Sequence, residues 1–200
     1  MIQDKAMLLN QVEVFIKDIY NNRLPQGMYF HNFEHTLLVV EGVQLISRQE
    51  GCTEEEKLVL ILAAMLHDIG YAKLYLGHEE VGAKMAVEFL NELNVDEDII
   101  SQVTSCIMAT RYPQKPGSKL EYIICDADFY HFSLEDYLYY ADRLKKEWEE
   151  KQDIRFSAQE WDELNLKLLS THEYFTGYGK TKLQQEKMLN IEKLKSRLGK

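Results

Sequence analysis

Leu58-Val59-Leu60-Ile61-Leu62-Ala63-Ala64-Met65-Leu66, followed at once by His67-Asp68-Ile69-Gly70, is the stretch that decides the fold. A run that is apolar on every side has no face to give to water, so a helix built from it must be enclosed by other helices. Its nine residues fall far short of the roughly 20 that a helix needs to cross a bilayer. Just upstream, Thr53-Glu54-Glu55-Glu56 is a capping box, in which the hydroxyl and a Glu side chain satisfy free backbone amides and fix the helix start. Gly70 is suited to a left-handed cap that ends it. His67 and Asp68 therefore fall in the last turn of the most buried helix, where two polar side chains are held rigidly.

Helical periodicity extends outward from this stretch. Met7, Leu8, Val12, Val14, Phe15, Ile16 and Ile19 place most of a first helix on one face, ended by Tyr20-Asn21-Asn22 and the turn Leu24-Pro25-Gln26-Gly27. A second helix is predicted from His31 to about Ser47, with His31 and His35 one turn apart on it. Further helices are predicted over about 78–93, 96–110, 121–128, 134–149, 158–175 and 182–198. Ser133 with Asp136, and Ser157 with Glu160, supply cap signals. Tyr112 to Ser118, with two prolines and a glycine, is a loop. No alternating strand pattern and no repeat is present, so the expected architecture is an all-α helical bundle forming a single domain over 1–200.

The net charge of −10 repels a phosphate backbone, which argues against broad binding to a nucleic-acid polymer. The last twenty residues carry six Lys or Arg against two Glu, on an amphipathic pattern whose charged face is expected to be solvated rather than membrane-bound. Cys52, Cys106 and Cys125 are an odd number without metal-type spacing, as expected of reduced core thiols in a cytoplasmic protein. Met1 to Ala6 lacks the basic-then-apolar organisation of a signal peptide. No membrane partner is expected, and oligomeric state is left open.

Imidazole and carboxylate are ligands for first-row divalent metals, and further ones are available to join His67 and Asp68. His35 lies upstream in His31-Asn32-Phe33-Glu34-His35, and Asp126-Ala127-Asp128 lies downstream. Residues two apart on a helix point about 200° apart, so only one of Asp126 and Asp128 can face a given metal. Two His and two Asp leave positions open for water and substrate, and do not distinguish Mn, Fe, Mg, Zn, Co or Ni.

The ordered pattern His35, His67-Asp68, Asp128 resembles the HD-domain metal-dependent phosphohydrolases. Tyr29-Phe30-His31-Asn32-Phe33-Glu34-His35 is similar to the segment before the first metal ligand in cyclic-nucleotide phosphodiesterases. The similarity runs through His78 to Ala83, Ala109 to Pro116 and Cys125 to Asp128, and spans roughly 28–175. It implies a helical bundle with His35, His67, Asp68 and Asp128 holding one or two divalent cations, and Asp68 bridging where there are two. His78 and Asp126 are then candidates for a second metal or for supporting the ligands, His31 for the general acid, and Asn32 beside it for a substrate contact.

The implied activity is hydrolysis of a nucleotide or other small phosphate ester, with a phosphodiester favoured. A phosphomonoesterase, a non-catalytic metal-containing nucleotide sensor and a di-iron oxygenase are the alternatives. Arg111, Lys115 and Lys119 either contact phosphate or are solvated loop residues, and Gln114 has hydrogen-bonding capacity suited to a base. Tyr137, Tyr139, Tyr140, Trp148 and Trp161 fit a helix interface, His172 a structural role, and His131 lies close enough in sequence to Asp128 to approach the site.

Overall fold

The structure, a computed structural model, describes residues 5–200; the expectation about a signal peptide rests partly on residues 1–4, which lie outside that range. Among the described residues the chain is all-helical: α1 (Lys5–Asn22), α2 (Phe33–Gln49), α3 (Glu54–Leu66), α4 (His78–Glu92), α5 (Glu97–Ala109), α6 (Lys119–Asp128), α7 (Tyr137–Lys151), α8 (Ala158–Thr171) and α9 (Gln184–Arg197). None of these helices is long and apolar enough to cross a membrane.

The capping box at the start of α3 is formed as expected: Thr53 Oγ1 accepts from the Glu56 amide, and the Glu56 carboxylate accepts from the Thr53 amide. Val59, Leu60, Leu62, Ala63, Ala64 and Leu66 are fully buried. They are enclosed by α1, α2, α5 and α6, which all pack on α3. A second cluster, with Phe132, Tyr137, Leu169, Ile191 and Leu194, joins α7, α8 and α9. The basic tail is a packing helix: Ile191 and Leu194 are buried while Met188 and Leu189 face solvent. Its buried polar groups tie it down, with Lys187 Nζ donating to the His172 carbonyl at 2.6 Å and Asn190 to the carbonyls of Phe132 and Leu134.

Several boundaries differ from the sequence-based expectation, each for a local reason. The second helix starts at Phe33, because Asn32 is its cap: Asn32 Oδ1 accepts from the Glu34 and His35 amides, and its amide donates to the Tyr29 carbonyl. His31 therefore sits just before the helix rather than on it. Ser133 and Asp136 cap nothing by side chain; Ser133 donates to the Tyr130 carbonyl inside the short 3-10 turn Tyr130–Ser133, and the next helix begins at Tyr137. By contrast, Ser157 and Glu160 form a full capping box.

The eighth helix stops at Thr171, short of 175, because Asp126 captures the chain beyond it. The Asp126 carboxylate, fully buried, accepts from the Phe175 and Thr176 amides and the Thr176 hydroxyl at 2.7–2.9 Å. The last helix is entered through a π-helical turn, Gly179–Leu183, and a Cβ at Gly179 would overlap Asp126 Oδ2.

Gly70 does not adopt the left-handed cap; positive φ occurs at Gly27, Gly51, Gly77 and Gly199 instead. It lies in the 3-10 turn Ile69–Ala72, where a Cβ would overlap the His78 carbonyl oxygen and crowd the Gly82 amide. The glycine is thus required by the close approach of α4 to the chain just after His67-Asp68. Gly70→Ala is expected to destabilise the metal-stripped protein by about 1–3 kcal/mol, the usual cost of overpacking a tight contact. Urea unfolding measures it, and an unchanged midpoint would mean that α4 is not held here.

Candidate metal centre

Three separate segments deliver donor atoms to one point. His35 comes from the first turn of α2, His67 and Asp68 from the residues immediately after α3, and Asp128 from the last residue of α6. His67 Nε2 lies 3.4 Å from His35 Nε2 and 3.1 Å from Asp68 Oδ2. Asp128 Oδ1 lies 3.3 Å from His35 Nε2 and 3.7 Å from His67 Nε2, and Asp68 Oδ2 is 3.5 Å from His35 Nε2. Ligands bound at about 2.0–2.2 Å stand roughly 3.0–3.5 Å apart around a cation, close to the 3.1–3.7 Å of these pairs. Asp128, not Asp126, is the carboxylate in this cluster, and Asp126 belongs to the loop contact described above. The expectation that Asp126 serves a second metal or supports the ligands is corrected accordingly.

The hydrogen bonding around the cluster orients it for a cation. His67 Nδ1 is 2.9 Å from the Ala64 carbonyl, so that nitrogen carries the proton and Nε2 presents its lone pair to the cluster when the ring is neutral. Asp68 Oδ2 is buried without a hydrogen-bond partner, an arrangement that is costly unless a cation or a proton faces it. The residues present therefore fit a divalent metal.

Without a metal, protons take over part of that task. Burial works against charge on His67, but Asp68 and Asp128 outweigh it and raise its pKa to about 9. Burial likewise opposes charge on Asp68, yet His67 and His78 hold its carboxyl well below the usual range.

The other Asp68 oxygen, Oδ1, faces His78 Nε2 at 3.4 Å. His78 Nδ1 is 3.2 Å from the Tyr75 carbonyl, so its Nε2 is also the lone-pair nitrogen, and Glu79 Oε1 lies 3.7 Å from it. Tyr71 stacks on the His78 ring, with centroids 3.7 Å apart and planes at 18°, and lies 4.5 Å from the His31 ring. His78 therefore faces the Asp68 oxygen that is turned away from His35.

His31 borders this centre, its ring 5.8 Å from that of His35. Its Nδ1 forms a short hydrogen bond with Glu147 of α7, and the Glu147 carboxylate also accepts from the Phe30 and His31 amides at 2.8 and 3.0 Å and from the Tyr75 hydroxyl. Burial alone would strip the proton from His31; the Glu147 charge outweighs it and holds the pKa above the ordinary value. Glu147 itself, fully buried, is pushed up by burial and brought below its usual value by His31 and the two amides. Sequence reasoning missed this glutamate. It lies 116 residues from its partner, inside the acidic run Glu147-Trp148-Glu149-Glu150, where nothing local separates it from solvated neighbours.

A cavity of about 550 Å³ opens onto the cluster, with Asp68, His78, Asp128 and His31 at one end. Arg111 also lines it, half-exposed and ion-paired with Glu80 at 2.8 Å. Gln114 donates to Asp128 Oδ2 at 3.2 Å and so steadies a ligand carboxylate, while Lys115 is exposed and outside the lining. Asn32 uses its side-chain oxygen and an amide hydrogen within its own capping turn. His131 is buried, lines the cavity and is driven to a pKa of about 3 by burial and by the nearby His35, so it stays neutral. His172 packs between Phe129 and Phe132 and belongs to the C-terminal packing. Cys52, Cys106 and Cys125 are buried and unpaired.

The family model described as HD domain matches residues 32–133. No curated protein matches the chain. Among solved structures, a predicted HD superfamily hydrolase from an uncultured Thermotogales bacterium is similar, at 18% identity with a TM-score of 0.62, covering 96% of this chain and 91% of that one. At that identity the likeness concerns the fold.

Metal uptake should release protons. At pH 7 His67 of the metal-free protein, with a pKa of about 9, is protonated, and a metal binds only the neutral ring. Affinity therefore rises as the pH climbs towards 9. The sign for stability is opposite in the metal-free state, where protonated His67 stabilises the fold below about 6.5 and that contribution is lost as the pH rises through about 9. Titration calorimetry of Mn or Zn into metal-stripped protein, in two buffers of different ionisation enthalpy, should give heats that differ by at least one proton per site. Identical heats would contradict a protonated His67.

Proposed function

The chain belongs to the HD-domain family, and on that premise we propose that it is a metal-dependent phosphohydrolase acting on a nucleotide or other small phosphate ester, with a phosphodiester favoured. The observation that carries this reading is the joint placement of two features. Donor atoms of His35, His67 and Asp128 lie within 4.8 Å of one another with Asp68 Oδ2 3.1 Å from His67, and beside them a buried glutamate stabilises the protonated form of a histidine. Support for the diester comes from the Tyr29 to His35 segment, similar to that of cyclic-nucleotide phosphodiesterases.

His35, His67, Asp68 and Asp128 would hold the cation, with His78 beside Asp68 available for a second. Bound there, it would acidify a water and neutralise charge growing on the phosphoryl oxygens. Asp68 has one oxygen in the cluster and the other towards His78, so the second oxygen would accept a hydrogen bond from the attacking water. His31 carries the proton needed by the departing alkoxide. Water adds to phosphorus, the ester P–O bond breaks, and the alcohol leaves with the His31 proton, which solvent replaces. Glu147 is a positioning residue: it fixes the ring through Nδ1, leaves Nε2 as the donor, and stabilises the charged form.

The test begins with metal-stripped protein supplied in turn with Mn, Mg, Zn, Fe, Co or Ni, against cyclic nucleotides, nucleoside monophosphates and bis-aryl phosphates. Asp68→Ala should abolish the turnover seen with the best metal. His31→Asn should lower kcat by about 10²–10⁴-fold on an alkyl ester and much less on a p-nitrophenyl ester, whose leaving group needs no proton. Glu147→Gln should move the alkaline limb of the pH–rate profile to lower pH, because His31 then loses its proton earlier. Stoichiometric metal binding with tight ligand retention and no turnover of any ester would replace the hydrolase with a nucleotide sensor.

A further inference from the structure

We infer that the ester accepted here carries a single phosphoryl centre on an uncharged, mainly apolar alcohol whose ring lodges between α7 and α8; this deepens the phosphohydrolase reading and rests on it. The cavity does not end at the metal cluster. Its lining continues over Leu144 and Trp148 from α7, Trp161, Leu164 and Leu168 from α8, and Phe132. Leu144, Trp148, Leu164 and Leu168 are only half-buried, so apolar surface on two facing helices is left for a ligand to cover.

Of the polar groups of that wall, Asn165 and Tyr137 are already engaged, and the Trp161 indole N–H is the one buried donor left without a partner, which leaves room for a single acceptor on an otherwise apolar ring. Asn165 accepts from the Tyr137 hydroxyl and donates to the Trp161 carbonyl at 2.7 Å. Apolar character continues to the mouth, where Leu76 and Tyr112 line the cavity and are 77% and 68% exposed.

Charge points the same way. Of the residues lining the cavity, three are carboxylates, Asp68, Glu79 and Asp128, and the sole Lys or Arg is Arg111, which Glu80 already engages. A cation at the cluster offsets one phosphoryl group. Additional phosphates, as in a nucleoside triphosphate, would extend past His31 along apolar walls with no free Lys or Arg to receive them, and burying unpaired charge is strongly unfavourable. The volume of about 550 Å³ lies within the roughly 300–1,000 Å³ of small-molecule pockets, enough for a ring-bearing alcohol.

Both tryptophans of the chain line this cavity, so intrinsic fluorescence reports directly on its occupant. The full-length protein, loaded with its best-binding divalent metal, is titrated with phenylphosphonate, methylphosphonate and inorganic triphosphate, none of which depends on turnover. Phenylphosphonate should change the tryptophan emission and bind at least tenfold more tightly than methylphosphonate, and triphosphate should not displace it. Leu164→Asp and, separately, Leu144→Asp should remove the phenyl preference while methylphosphonate affinity stays within about twofold. Circular dichroism and metal stoichiometry show that each variant is folded.

Equal affinity for the two phosphonates, or triphosphate binding as tight as phenylphosphonate, would overturn the inference. Phenyl preference without hydrolysis of any ester would sink the hydrolase reading and leave this one standing, whereas turnover without phenyl preference would do the reverse.

Discussion

Everything at the candidate site depends on the complete burial of α3. Its fully enclosed residues, among them Val59, Leu60, Leu62, Ala63 and Leu66, have no solvent face, and each large side chain among them contributes roughly 1.5–3 kcal/mol by leaving water. A helix of that kind accepts only a surrounding sheath of helices. Two members of the sheath, α2 and α6, pack on α3 and on each other. That mutual packing brings the start of one, the end of the other and the exit of α3 to a common point. The candidate metal ligands are therefore positioned by the apolar core rather than by contacts among themselves. Gly70 and Gly82 then let α4 close on the same exit, and α4 opens with His78.

The electrostatics of the cluster follow from its position at the end of a buried helix. Asp68 and Asp128 cannot both remain ionised there without compensating charge. In the metal-free protein the compensation is protonic, which is why His67 is raised to about 9 although burial opposes it. A cation of charge two placed among the same atoms would substitute for those protons. A second, separate compensation operates beside it: Glu147 and His31 hold each other charged in a buried pair anchored by two backbone amides and a tyrosine hydroxyl. The site thus keeps one histidine available for a metal and another available to give up a proton, distinguished only by which carboxylate each one faces.

How much of this was legible in the sequence depended on whether the determining contact was local. The adjacency of His67 and Asp68 to an unbroken apolar run is a local property, as is the 3.6-residue repeat that keeps Asp126 and Asp128 from facing one metal, but the joining of His35 and Asp128 to the pair came from the family resemblance. Capping boxes at Thr53 and Ser157 were legible for the same reason. Ser133 carries the same kind of signal but lies inside a 3-10 turn where its hydroxyl finds the Tyr130 carbonyl first. Gly70 invited a left-handed cap, yet its role is set by the backbone of another helix. Glu147 and Asp126 act on partners 116 and about 50 residues away, and periodicity cannot tell a buried carboxylate of this kind from a solvated one.

The residues matched by the family, 32–133, include all four donors of the cluster, but neither Glu147 nor either tryptophan. Those come from α7 and α8, beyond the matched stretch. On α7, Leu144 and Trp148 are one turn apart and line the cavity, and Glu147 between them reaches His31. One rigid helix thus serves as wall for the alcohol and as support for the proton donor. On the proposed reading the labour is divided along the chain: the part shared with the family would assemble the chemistry of the phosphoryl group, and α7 and α8 would select the alcohol attached to it.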